Sequence, residues 1–221
     1  MKISAIVTGA SGMVGEGVLH ECLLSNEVER VLVIGRRPCG ITNPKLKEIL
    51  HDNFHNLASI EAQLQGYNAC FFCLGVSSVG LNETDYYHLT YDLTIHVAET
   101  LLRANPGLTF CYVSGMGTDS SEKGKSMWAR VKGKTENKLL QMPFKKTYMF
   151  RPGYIHPTKG LKNTLKMYSA LSWLYPVLRT VFPKYVCTLK EIGLAMINTM
   201  NGGRDKSVLE VIDIIELSKR E

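Results

Sequence analysis

The chain has 221 residues, 45% of them apolar and 21% charged, with a formal net charge of +6. That balance excludes a disordered chain, and the length suits a single domain with a sizeable core. No apolar run is long enough for a membrane span, because Met167 to Phe182, the most apolar region, is broken by Pro176 and Arg179.

Apolar runs rich in Ile, Val and Phe predict strands at 2–8, 28–35, 48–54, 69–75, 108–114 and 146–151. Helical spacing predicts helices near 13–25, 57–65, 84–104 and 126–141. Continuous apolar strands alternating with amphipathic helices indicate an α/β fold, a doubly wound, Rossmann-like parallel sheet covered on both faces. After Arg151-Pro-Gly153 the alternation lapses. Residues 153–187 carry Tyr154, Tyr168, Trp173, Tyr175, Phe182 and Tyr185 among prolines. They are expected to form a small C-terminal substrate cap over the carboxyl edge of the sheet; a subunit contact in a homodimer is the alternative. Thr188-Leu-Lys-Glu191 reads as a capping box opening a helix over Ile192–Met200, which Asn201-Gly-Gly203 ends. Ser207–Val211 follows as a short late strand.

A lone Lys2 before the first apolar run is no export signal, and six cysteines in such a chain read as reduced core residues. A cytoplasmic protein is expected on that ground. Cys70 and Cys73 sit three apart on a predicted strand, so their sulfurs face opposite ways and neither pair up nor share a metal. His51, His55, His88 and His96 have no cluster of further ligands at metal spacing, so no metal is expected. Between Lys123 and Lys146 stand eight basic residues and one acid, Glu136. With few aromatics among them, they read as a solvated face, and nucleic-acid binding is not favoured.

The most informative stretch is Thr8-Gly9-Ala-Ser11-Gly12-Met13-Val14-Gly15, three glycines spaced three apart between a strand and a helix. One glycine makes the turn, another admits a diphosphate to the backbone, and the third lets helix and strand pack closely. The diphosphate then sits on free N–H groups at the positive helix end. Gly9, Ser11, Gly12, Met13, Val14 and Gly15 are therefore candidates for holding a dinucleotide. The second strand ends in Gly35-Arg36-Arg37 where an acidic residue would serve the ribose of NAD. Two arginines suit a 2′-phosphate, so NADP is favoured and NAD is the alternative. Asp52 and Asn53 are expected to border the adenine, and Leu74-Gly75 to lie along the cofactor ribose.

With Tyr112-Val-Ser114-Gly-Met-Gly117, Val131-Lys132-Gly-Lys-Thr-Glu136 and Phe150-Arg-Pro-Gly153, the pattern resembles the atypical short-chain dehydrogenase/reductase superfamily. Within it, the chain is similar to the small NAD(P)H-binding group of Tat-interacting proteins and presumed epimerases or reductases. The resemblance covers roughly residues 1–155. It implies that Ser114 steadies a substrate carbonyl and that Lys132 binds the nicotinamide ribose. The proton-passing Tyr of the superfamily's Tyr-x-x-x-Lys falls on Trp128, whose indole donates a hydrogen bond but moves no proton. Tyr154 and His156, with Tyr86 and Tyr87, are the candidate substitutes. Two readings stay open: an NADP-dependent reductase or epimerase-like enzyme on a small carbonyl compound, or a catalytically weak NADPH sensor that contacts a protein partner.

Overall fold

A computed structural model describes residues 2–163, 172–202 and 205–220; Tyr168, Gly203 and the rest of 164–171 in the expected cap lie outside them. Strands β1 (Ile3–Thr8), β2 (Val28–Gly35), β3 (Leu46–Leu50), β4 (Ala69–Phe72), β5 (Thr109–Val113) and β6 (Lys146–Arg151) form a parallel sheet. A late strand, β9 (Val208–Glu210), joins it beside β6, giving seven strands in the order β3-β2-β1-β4-β5-β6-β9. The order reverses direction between β1 and β4, and ligands of such sheets bind at the carboxyl ends around that switch.

The strands alternate strictly, though nearly every residue on them is apolar. Val7, Phe71, Cys111 and Phe150 face helices α1 (Met13–Leu24), α6 (Leu189–Asn198) and α7 (Val211–Ser218). Ile6, Cys70, Phe72, Phe110 and Met149 face α3 (Leu93–Ala104) and α4 (Met127–Gln141). Two cores, one on each face, explain why periodicity alone shows no polar side. Each fully buried Ile, Leu or Phe adds about 1.5–3 kcal/mol. Cys70 and Cys73 belong to opposite cores, as their spacing requires.

Local chemistry corrects several expectations. The third strand covers Leu46–Leu50, not 48–54: it is the sheet's edge, and Asp52-Asn53 turn the chain after it. In place of a helix over 57–65 there is one 3-10 turn, Glu61–Leu64. The Asn53 and Asn56 side chains accept the His55 and Ala58 amides, which offers the backbone a local alternative to helix. Leu57, Ile60 and Leu64 are nevertheless buried, as their spacing demands. The long helix of 84–104 is α2 (Glu83–Tyr87), a π turn (His88–Asp92) and α3. The Thr188–Glu191 capping box is present, and its helix starts earlier than expected, at Leu189. Within 153–187 lie β7 (Tyr154–His156), α5 (Tyr175–Val181) and β8 (Val186–Thr188), with β7 and β8 paired in parallel.

Helix α4 is seated by a glycine. A Cβ at Gly133 would stand 1.8 Å from the Asp119 carbonyl oxygen, so the 119–126 loop lies directly on the helix. The Asp119 carboxylate braces that loop by accepting the Ser121 and Gly124 amides. Gly133→Ala should cost roughly 1–3 kcal/mol by overpacking against rigid backbone. A thermal melt of the variant checks this, and an unchanged Tm would contradict it.

Candidate functional site

The glycine turn is built by close backbone approach. Gly9 has φ +73°, and a Cβ there would stand 2.6 Å from the Cys73 carbonyl oxygen at the end of β4. A Cβ at Gly15 would stand 2.2 Å from the Gly9 oxygen, so α1 starts in contact with the turn. Gly12 closes the turn, donating its N–H to the Gly9 oxygen at 2.9 Å, and no side chain caps the helix it opens. The first-turn amides of α1 therefore have no partner within the helix or from its cap.

A cavity of about 560 Å³ opens beside that turn. Its walls are Gly12–Val14, Cys73–Ser77 after β4, Val113–Gly115 after β5, Lys132 of α4, and Pro152, Gly153 and Ile155. Four glycines, Gly12, Gly75, Gly115 and Gly153, bring backbone rather than side chain to its surface. A second cavity of about 160 Å³ is lined by Arg36, Asp52, Asn53, Phe54, His55, Leu89 and Leu93. Both cavities share Leu74, Gly75 and Val76. An elongated anionic ligand gripped by amides at its middle fits this pair of spaces. Ser11 is exposed at the turn and Arg37 beyond β2, and neither lines a cavity.

At the inner end of the larger cavity the quoted motifs meet. The Lys132 Nζ donates to the Ser114 carbonyl oxygen. The Ser114 hydroxyl donates to Glu136 Oε1, and to the Phe150 carbonyl at 3.2 Å. Glu136 is completely buried; Arg151 Nε donates to its Oε1 at 3.0 Å and Nη2 to its Oε2. Arg151 also donates to Ser120 Oγ at 2.6 Å and to Glu210 at 3.3 Å. Ser114 is thus held at both ends by side chains four residues apart on α4. Burial pulls the Lys132 pKa down to about 8, with the Glu136 carboxylate opposing part of that shift.

The other candidates lie elsewhere. Trp128 lines neither cavity, its ring standing 3.5 Å from where a Cβ at Gly117 would be. Tyr154 and His156 flank Ile155 on β7, and it is Ile155 that faces the cavity. Strand alternation turns its neighbours to the other side of β7, and neither lines that cavity. His156 stacks on Tyr175 with ring centroids 3.9 Å apart, and burial lowers its pKa. Tyr86 is buried and Tyr87 stacks on Tyr91. Among the described residues no cluster of metal ligands exists, and no helix is long and apolar enough to cross a membrane.

Two contributors escaped the sequence reading. Glu136 is one; its i,i+4 spacing from Lys132 was the available signal. Glu16 is the other: from the first turn of α1 it accepts the Lys162 and Asn163 amides at 2.8 and 2.7 Å.

Comparison with known proteins fits this geometry. The model of the NAD dependent epimerase/dehydratase family matches residues 5–127, more than half of the chain. The chain belongs to that family. It is 28% identical over 154 residues to Protein HTATIP2 of Rattus norvegicus, across 69% of this chain and 62% of that protein. The chain thus matches less than two thirds of the rat protein's length. It is 26% identical over 171 residues to Protein FMP52-1, mitochondrial, of Scheffersomyces stipitis, across 75% of this chain and 74% of the relative. These relatives support membership in the atypical short-chain dehydrogenase/reductase group. The fold matches ADP-L-glycero-D-manno-heptose-6-epimerase of Helicobacter pylori with a TM-score of 0.68 at 13% identity, over 99% of this chain and 82% of that one. It also matches an NADPH-bound carbonyl reductase from chicken fatty liver with a TM-score of 0.64 at 15% identity, over 96% and 98%.

The mitochondrial names of the fungal relatives overturn the cytoplasmic expectation. Cysteine usage carried no address here. Cys22, Cys70, Cys111 and Cys187 are buried, and burial pushes their thiols up into an unreactive form.

Two measurements follow. Arg151→Met leaves the Glu136 carboxylate buried without its cation, which should cost about 3–5 kcal/mol in denaturant unfolding; a loss below about 1 kcal/mol would contradict the buried pair. Folded Lys132 releases its proton near pH 8, whereas an unfolded Lys holds it to about 10.4. The unfolded state binds more protons between those values, so stability from this group rises with pH there. Lys132→Met should flatten that rise.

Proposed function

We propose that the chain is an NADP(H)-dependent oxidoreductase or epimerase-like enzyme for a small carbonyl compound, with Lys132 as its proton donor. The observation that carries this reading is the position of the Lys132 ammonium in the cavity wall, with its pKa drawn down to about 8. The dinucleotide, when bound, supplies the hydride. Met13, Val14 and Gly15, whose amides have no partner within the helix, offer them to its diphosphate, with Gly12 held in the turn by its own bond to Gly9, and Arg36 stands where a 2′-phosphate would need a forked donor. Asp52, Asn53, Leu74 and Gly75 border its adenosine half. Gly153 and Ile155 border the end of the cavity left for the substrate.

The Ser114 hydroxyl has one hydrogen, and it is given to Glu136. Ser114 therefore has no free hydrogen to offer a substrate oxygen in this arrangement. Lys132 has three N–H bonds and spends one on the Ser114 carbonyl. A second reaches the substrate oxygen, and transfer of that proton leaves a neutral amine that the buried site favours. Lys132 thus takes over the task the superfamily gives to Tyr, which Trp128 cannot perform. A positioned acid contributes roughly 10²–10⁴-fold.

A second reading, an NADPH-dependent sensor for a protein partner, draws on Glu16. This carboxylate ties the cradle helix to the backbone at Lys162 and Asn163, so a ligand that binds one arrangement of the two more tightly shifts the other. Assays with aldehydes, ketones and quinones followed by NADPH absorbance separate the readings, because a sensor binds the nucleotide without turnover.

Arg36→Ala should weaken NADPH about tenfold relative to NADH, and Arg37→Ala should change little. Equal losses for both nucleotides would contradict the phosphate contact. Carbonyl reduction should fall as pH rises through about 8, since the donor must be protonated. Lys132→Arg keeps the charge but does not release a proton, so it should lose this limb along with most of kcat. A limb unchanged in Lys132→Arg would move the proton donor to another group.

A further inference from the structure

The chain's charge is concentrated in one segment. Residues 153–190 hold six basic side chains and no acidic one, and the remainder carries twenty of each sign. The same segment presents a row of exposed apolar side chains. Trp173, Val177 and Val181 recur every fourth residue along α5 and the turn before it, with exposures of 78%, 60% and 59%. That spacing sets them on one helical face. Phe182 and Tyr185 extend the row at 51% and 56% exposure, their rings edge to face at 6.5 Å.

The amphipathy of α5 is inverted. No residue of the helix is buried, and its polar Arg179 points inward, donating to the Val186 carbonyl at 2.6 Å and to both oxygens of Glu191. That arginine pins the helix to β8 and α6 while the apolar row faces water. Folding of the chain gives no reason to expose such a row, and exposed apolar patches mark contact surfaces. Exposed Lys159, Lys162, Lys184 and Lys190 belong to the same segment.

We propose that this face docks on an anionic lipid surface. Aromatic and aliphatic side chains beside lysines match the interface of a bilayer, where rings sit at headgroup level and lysines meet phosphates. A second copy fits poorly, because a two-fold contact sets the patch against itself and brings two all-basic segments together.

The full chain is sedimented with phosphatidylcholine vesicles with and without phosphatidylglycerol. Pelleting is expected only with phosphatidylglycerol, weakened by salt, with a blue shift in fluorescence that Trp173→Phe abolishes. Trp173→Ser with Phe182→Ser, and separately Lys184→Glu with Lys190→Glu, should each lower the bound fraction about tenfold. These side chains are exposed, so thermal melts should match wild type. Three results would overturn the assignment: no pelleting with anionic vesicles, binding unaffected by both pairs of substitutions, or a dimer in solution that Trp173→Ser dissolves. Binding to polyglutamate without binding to vesicles would assign the face to an acidic protein instead.

Discussion

Three stretches of backbone meet at Gly9 with no room for a side chain. The strand end after β4 lies against one side of this residue and the start of α1 against the other, through Gly15. A substituent at either position would push α1 off the sheet or separate β1 from β4. Because the contact is so close, the first amides of α1 point out over the switch in strand order, and the strand-end backbones at Gly75 and Gly115 face the same space. The cavity follows from that crossing, as does the helix-end field that attracts an anion.

The reacting end is organised by a different interaction, the buried ion pair of Glu136 and Arg151. It joins α4 to β6, and the Oε1 that accepts from Arg151 Nε also accepts the Ser114 hydroxyl. A buried pair of this kind gives little net stability compared with apolar residues, but its loss is costly. Its effect here is directional: it turns the Ser114 hydroxyl toward Glu136, and on the proposed reading that leaves Lys132 to supply the proton. The same arrangement makes sense of Trp128. The indole packs near Gly117, and on the proposed reading Lys132 supplies the proton, so no phenol is required at that position.

Local patterns were legible in the sequence, and long-range ones were not. Val28–Gly35 and the start of α1 at Met13 agree with expectation because strand propensity, glycine punctuation and helical spacing coincide there. The edge strand β3 was misplaced because its half-exposed residues lack a clear alternation. The glycine turn could be read from spacing along a few residues, and Lys132 from the family resemblance. The partnership of Glu136 with Arg151 could not, since fifteen residues and a change of element separate them. The orientation of Tyr154 and His156 depends on the pairing of β7 with Val186–Thr188, which a three-residue strand does not announce. Arg36 and Arg37 read alike in sequence, and only the fold distinguishes the one in the cavity wall.

The central claim is that the backbone amides opening α1 grip the diphosphate of a pyridine nucleotide. Amide hydrogen exchange with and without NADPH tests it directly. Exchange should slow at Met13–Gly15 and at Gly75, while the last turn of α7, Ile215–Ser218, which lines neither cavity, stays unchanged. A folded chain that shows no protection at those amides, or shows it only elsewhere, would contradict the account.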